Sequence, residues 1–173
     1  MAVGKTAVGK RLARRLQREF FDTDALIEKR EAASVAEIFE RCGEQEFRRI
    51  EREVIADLSP QQPAVIATGG GTFVDERNRE HLHALGIVVC LITTLDTVLE
   101  RVERNNKRPL AQDADARETL GELLERRMLA YRQADVMIET DSLTIDQATA
   151  RVLSMVEPRL KHLSCASRGS ASE

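Results

Sequence analysis

No apolar run in the 173-residue chain approaches the ~20 residues of a membrane-spanning helix, the longest being "GIVVCLI" at 86–92. The first residues also lack the apolar core of a signal peptide. Charge of one sign is missing as well. A formal net charge of −3 leaves no basic footprint, which argues against a nucleic-acid partner. Cysteine is scarce: Cys42, Cys90 and Cys165 are odd in number, far apart, and form no C-x-x-C pair. That pattern suits free thiols in a reducing compartment better than a disulfide frame or a zinc site. A cytoplasmic monomer without membrane or nucleic-acid partners is expected. What remains is 42% hydrophobic and 32% charged, the balance of a soluble globular domain with a real core.

Helical and strand patterns alternate along the chain. Val8, Leu12 and Leu16 recur four apart, with Ala13 beside them, and predict a helix from about Lys5 to Arg18. "EFFDTD" reads as a short strand ending in acids. Ser34 and Glu37 have capping-box spacing and open a helix that Gly43 ends; another runs from about Glu44 to Leu58. "AVIATGGG" is a buried strand running into three glycines, and Asp75 caps a helix ending at Gly86. "IVVCLIT" is a strand buried on both faces, with Cys90 a buried thiol, followed by a helix from about Leu95 to Asn105. "KRPLAQDADAR" has no period and reads as a loop before a helix over about Glu118–Gln133. "DVMIET" is a last strand. The last helix places Ile145, Ala148, Val152 and Met155 on one face, and 159–173 reads as a disordered tail. Apolar strands alternating with helices predict an α/β fold, a parallel sheet covered on both sides, with ligands at the strands' carboxyl ends.

The chemistry-bearing residues fall at those ends. Gly4, Lys5 and Thr6 match the closing half of a phosphate-binding loop, G-x-x-x-x-G-K-[ST]. Alone the triplet is weak. At a helix start it gains a mechanism, since backbone N–H groups hold phosphate, Lys5 reaches the terminal phosphates and the Thr6 hydroxyl can ligate magnesium. Asp22 and Asp24 could serve merely as a helix cap, but a cap needs one acid. Alternation puts both on one side of an extended segment, Asp22 steadying magnesium and Asp24 binding or deprotonating a hydroxyl acceptor. Gly69, Gly70 and Gly71 are either a loose loop or a close approach of backbone to substrate. Arg48 and Arg49 look like solvated surface pairs, as do the arginines of "ERR" at 125–127. Arg108, in the aperiodic loop, suggests a closing lid. His81, His83 and His162 read as surface residues.

Together, "AVGKT", "FFDTD", "GEQEFRR", "TGGG" and "KRPL" resemble shikimate kinase, in order, from Met1 to about residue 157. The resemblance implies an NMP-kinase-like P-loop domain over 1–158, with a lid at about 108–117. Its implied reaction is transfer of the ATP γ-phosphate to the 3-hydroxyl of shikimate, in aromatic amino-acid biosynthesis. Carried over, Val3, Gly4, Lys5, Thr6 and Ala7 belong to the ATP loop, and Thr6 and Asp22 hold Mg2+. Asp24 binds the shikimate hydroxyls and is a candidate base. Arg48 pairs with the substrate carboxylate, Gly69, Gly70 and Gly71 bind substrate, Arg108 is the lid arginine and Arg101 lies near adenine. Arg127 matches a second carboxylate arginine four residues before Tyr131, although "RMLAY" departs from the family's usual R-x-P-L-Y.

A strand and a first glycine normally precede Gly-Lys-Thr in this fold, and none is present before Gly4. A gap in the sheet, weak ATP binding and slow turnover are therefore expected of this chain. Two other functions fit parts of the pattern: a kinase for another hydroxy acid such as gluconate, and a ligand-sensing domain of a transcription regulator. The triple glycine and "FRR" favour shikimate over gluconate. Lys5, Thr6, Asp24 and Arg108 together argue against a sensor, which has no need of transfer machinery.

Overall fold

The computed structural model describes residues 4–106 and 114–169, with side chains described for 4–100 and 117–161. Its elements are α1 (Lys5–Leu16), β1 (Glu19–Asp22), α2 (Thr23–Glu31), α3 (Val35–Ala56), β2 (Ala64–Ala67), α4 (Glu76–Leu85), β3 (Val89–Ile92), α5 (Leu95–Asn106), α6 (Ala114–Tyr131), β4 (Val136–Glu139) and α7 (Ile145–Gly169). Local chemistry sets most of these boundaries. Ser34 accepts from the Glu37 N–H, and Glu37 accepts from the Ser34 N–H at 2.7 Å, completing the capping box of α3. Gly43 breaks α3 with a left-handed φ of 76°, so two helices meet end to end there. Asp75 caps α4 by accepting from Arg77 and Asn78.

Strands β1 and β2 pair in parallel with Glu19 opposite Ala64 and Asp22 opposite Ala67. Strands β3 and β4 pair in parallel with Val89 opposite Val136 and Ile92 opposite Glu139. Among the described residues the two ladders do not join, and they form two separate two-stranded sheets. This is the expected gap. Helices bridge it instead. On one face Val65 of β2 and Val89 and Leu91 of β3 pack with Val8 and Leu12 of α1 and Val152 and Val156 of α7. On the other, Ile66 of β2 and Cys90 of β3 pack with Ile55, Phe73 and Leu82. The half-sheets therefore share the same two covered faces, as a parallel α/β sheet requires.

Several details differ from the sequence reading. Thr23 already begins α2, so Asp22 and Asp24 do not share an extended segment; Asp22 caps the helix and Asp24 lies in its first turn. Helix α6 starts at Ala114, taking in the last four residues of the expected loop. Helix α7 continues through Gly169, past the expected start of a tail. Its buried stripe is Ala148, Val152 and Val156, whereas Ile145 and Met155 are exposed. His81 is half-buried, with a ring nitrogen 3.2 Å from the Leu58 carbonyl oxygen, so it is not a free surface residue. Among the described residues no helix is long and apolar enough to cross a membrane.

Candidate active site

Gly4 is the N-cap of α1 with φ 78°, a left-handed conformation that glycine adopts without strain. The first helical bond described runs from the Val8 N–H to the Gly4 carbonyl at 2.9 Å. No side chain caps the helix, and its first turn carries no acid. The N–H groups of Lys5, Thr6 and Ala7 thus have no helical acceptor, which is the arrangement that receives an anion. Gly9 lets α1 lie close on β1: a Cβ there would sit 2.7 Å from Cε2 of Phe20.

Beside this helix end stand both acids. The Thr6 hydroxyl donates to Oδ2 of Asp22 at 2.8 Å, while Oδ1 of Asp22 accepts from the Asp24 N–H at 3.1 Å. One carboxylate therefore serves as the cap of α2 and as the partner of the Thr6 hydroxyl. Burial lowers the Lys5 pKa, opposed by the negative charge of Asp24 and reinforced by the positive charge of Arg127. Burial raises the Asp24 pKa, helped by Asp22 and opposed by Lys5. Asp22, Asp24 and Arg127 thus all lie close enough to act on the charge of Lys5.

The triple glycine closes the site from the end of β2. None of the three has positive φ among the described backbone, so the requirement is for space. A Cβ at Gly69 would lie 3.1 Å from Oδ1 of Asp24, 3.2 Å from Oε1 of Glu51 and 3.0 Å from the Thr72 hydroxyl. A Cβ at Gly71 would lie 2.6 Å from Nη2 of Arg48. The Gly70 carbonyl accepts from the Tyr131 hydroxyl, anchoring the glycine turn to α6. Burial raises the Tyr131 pKa, opposed by the positive charge of Arg127.

Glu51 joins this cluster, although the sequence reading did not single it out. It is 1% exposed, accepts from Nη1 of Arg48 at 2.8 Å, and accepts from the Thr72 hydroxyl at 2.6 Å. The available signal was its place on the buried face of α3 with Phe47, Ile50, Val54 and Ile55, where a bare glutamate is costly. Arg48 is not the surface residue its composition suggested, because only 26% of its side chain is exposed. Its other nitrogens meet Glu44, which is 70% exposed, with Nη2 at 3.2 Å. Arg49 is solvated and pairs with Glu46 and Glu53, as first read. Of the remaining sequence expectations, Val3 and Arg108 lie outside the described residues; Arg101 belongs to α5, but its side chain is not among those described.

Thr6 and Asp22 offer adjacent hard oxygens, and among the described residues no cluster of three or more His, Cys, Asp or Glu could hold a metal ion. That donor set fits magnesium, which takes one or two protein oxygens and completes its shell with water and phosphate.

A shikimate kinase family profile matches residues 1–157. The shikimate kinase of Vibrio cholerae is 41% identical over 161 residues, covering 92% of each chain. That of Shewanella putrefaciens is 44% identical with the same coverage. Among solved structures, "Shikimate kinase from Acinetobacter baumannii in complex with shikimate" superposes with a TM-score of 0.82 at 38% identity, covering 92% of this chain and 89% of that one. The Aquifex aeolicus enzyme gives 0.80 at 32% identity, covering 92% and 94%. This chain belongs to the shikimate kinase family.

Proposed function

We propose that this protein transfers the γ-phosphoryl group of ATP to the 3-hydroxyl of shikimate, with ATP on the amino end of α1 and shikimate between α2, α3 and the glycine turn. The observation that carries this reading is the meeting of Asp24, Arg48 and Glu51 around Gly69 and Gly71, a polar cluster whose Asp24 shares its charge environment with Lys5 at the helix end. Arg48 offers a planar fork to a carboxylate, and Arg127 adds a second positive charge. Asp24 faces the acceptor hydroxyl. Its raised pKa makes it a better base than an ordinary aspartate.

In the reaction the 3-hydroxyl oxygen forms a bond to the γ-phosphorus, and the bond from that phosphorus to the β,γ-bridging oxygen breaks. The hydroxyl proton passes to Asp24, and ADP leaves with the electron pair. Burial lowers the Lys5 pKa in the free site, and the negative charge of a triphosphate favours its protonated form. Thr6 and Asp22 would hold magnesium, which would supply positive charge to offset that of the transferring phosphate. Arg108 acts as the lid arginine and Arg101 flanks adenine. The enzyme works as a cytoplasmic monomer.

The test is a coupled ADP-release assay with shikimate and, separately, gluconate as acceptor, with products identified by mass spectrometry. ADP release that depends on shikimate and yields a monophosphorylated product is expected. Release independent of shikimate, or faster with gluconate, would overturn the assignment.

A further inference from the structure

A short 3-10 turn over Thr72–Val74 follows the triple glycine, and side chains of α4 take all three of its carbonyls. Asn78, only 2% exposed, donates from Nδ2 to the Thr72 carbonyl at 3.2 Å. Nη1 of Arg79 reaches the Phe73 and Val74 carbonyls, each at 3.2 Å. The Thr72 N–H closes back on the Gly69 carbonyl at 3.3 Å, and Phe73 packs with Ile55 and Leu82. The turn is thus tied to α4 through each of its residues. Thr72 is fully buried, and its hydroxyl leaves the turn toward α3, donating to Oε1 of Glu51 at 2.6 Å. A Cβ at Gly69 would lie 3.0 Å from that hydroxyl and 3.2 Å from Oε1, so the first glycine leaves the room this pair needs.

We infer that Thr72 is a positioning residue for the substrate arginine: its hydroxyl, seated by Asn78 and Arg79, orients Glu51 and through it Arg48. The last torsion of a glutamate is broad, so a single bond leaves the carboxylate free to swivel. Two bonds on different oxygens fix its plane, and Glu51 has them, Oε2 to Arg48 and Oε1 to Thr72. The direction of control follows from relative freedom. Arg48 and Glu51 are long side chains with several torsions, whereas β-branched Thr72 has one stiff torsion on a backbone already held. Without the hydroxyl, Oε1 is a buried acceptor with no donor from the turn, and the carboxylate turns away to find one. Arg48 then loses its anchor on the buried side and keeps only Glu44, which meets it from solvent. The consequence for shikimate affinity rests on the kinase reading; the hold on Arg48 does not.

The test compares Thr72→Val, which keeps the shape and removes the hydroxyl, with Thr72→Ser, which keeps the hydroxyl and removes the methyl. Each full chain is first shown to be folded by its melt. Nitrogen NMR of the arginine side chains is then recorded without ligand, the Arg48 signals being assigned by their absence from Arg48→Ala. Hindered rotation of the Arg48 guanidinium is expected in the parent and in Thr72→Ser, and free averaging in Thr72→Val. Calorimetric affinity for shikimate should fall roughly tenfold in Thr72→Val and less than about threefold in Thr72→Ser, with ATP affinity equal in all three. Should Thr72→Val not fold, Thr72→Ala, which sets no second methyl against the carboxylate, is read in the same way. Arg48 signals as hindered in Thr72→Val as in the parent, or an equal loss in Thr72→Ser, would overturn the inference. Freed Arg48 signals in a protein that binds shikimate as the parent does, or beside a parent that binds none, leave the hold established and count against the kinase reading of the clamp instead.

Discussion

Glu51 holds Arg48 from beneath, three residues on along α3, its Oε2 2.8 Å from Nη1 and its other oxygen fixed by the Thr72 hydroxyl. The buried acid turns a flexible arginine into a preorganised clamp. Glu51→Gln keeps the shape and a partner for Thr72 but removes the charge that sets the guanidinium. Stability should fall by about 1–3 kcal/mol, the worth of a charged hydrogen bond. The shikimate KM should rise roughly tenfold with kcat changed less. A melt and KM both equal to the parent would show that Glu51 does not position Arg48.

Glu44 presents the opposite case. It occupies the outer nitrogens of Arg48 from an exposed position, where a substrate carboxylate would have to take its place. Glu44→Gln should therefore lower the shikimate KM a few-fold while barely changing the melting temperature, as exposed pairs contribute ~0–1 kcal/mol. An increase in KM would mean that Glu44 supports the clamp and does not compete for it.

Asp24 couples activity to stability with opposite signs. Its folded pKa lies above the usual value of 3.8, first through burial and then through the nearby charge of Asp22. A raised carboxyl pKa favours folding at low pH, and that contribution is lost as pH rises from about 4 through the folded pKa. At neutral pH the ionised carboxylate is thus a net cost to the free protein. Asp24→Asn should melt no lower than the parent at pH 7.5, while turnover falls on the order of 10²–10⁴-fold. A lower melting temperature with activity within a few-fold of the parent would remove the assignment.

Much of this site was legible because its residues coincide with element boundaries. Gly4-Lys5-Thr6 opens an amphipathic helix, Asp22 ends a strand, and Gly69–Gly71 follow another, so periodicity alone brought them to one edge of the sheet. The boundary itself misled at Thr23, because the same Asp22 that ends β1 caps α2 at once. Glu51 escaped notice since α3 is rich in acids, and only its burial separates it from Glu46 or Glu53. Arg48 was misread on composition for the same reason, and the resemblance to the family corrected it. On α7 three-residue steps were added to each end of the Ala148–Val152 pair, reaching the exposed Ile145 and Met155, whereas the buried stripe keeps a four-residue step to Val156.

Gly71 tests the space argument directly. A methyl there meets the far end of Arg48, which can shift without disturbing packed backbone, at the cost at most of part of its bond to Glu51. Gly71→Ala should leave the melting temperature within a few degrees and raise the shikimate KM, because the displaced guanidinium no longer faces its carboxylate. Gly9→Ala is the contrast: its methyl meets the packed Phe20 ring at 2.7 Å, and overpacking of that kind costs about 1–3 kcal/mol. A large stability loss for Gly71→Ala, matching Gly9→Ala, would refute the distinction.

The two arginines assigned to substrate and lid should separate kinetically. Arg48→Ala should chiefly raise the shikimate KM, since a carboxylate pair is made in ground and transition states alike. Arg108→Ala should chiefly lower kcat, as its contact strengthens while charge moves during transfer. The reverse pattern would mean that clamp and lid have been exchanged.

The most direct test of the site is a calorimetric titration of shikimate into the parent, Arg48→Ala and Arg48→Lys proteins, each shown to be folded by its melt. It needs no phosphate loop and no turnover. Saturable one-to-one binding by the parent is expected, abolished or weakened at least tenfold by Arg48→Ala, and not restored by Arg48→Lys, which lacks the planar fork. Binding of equal strength in all three, or none in the folded parent, would contradict the account.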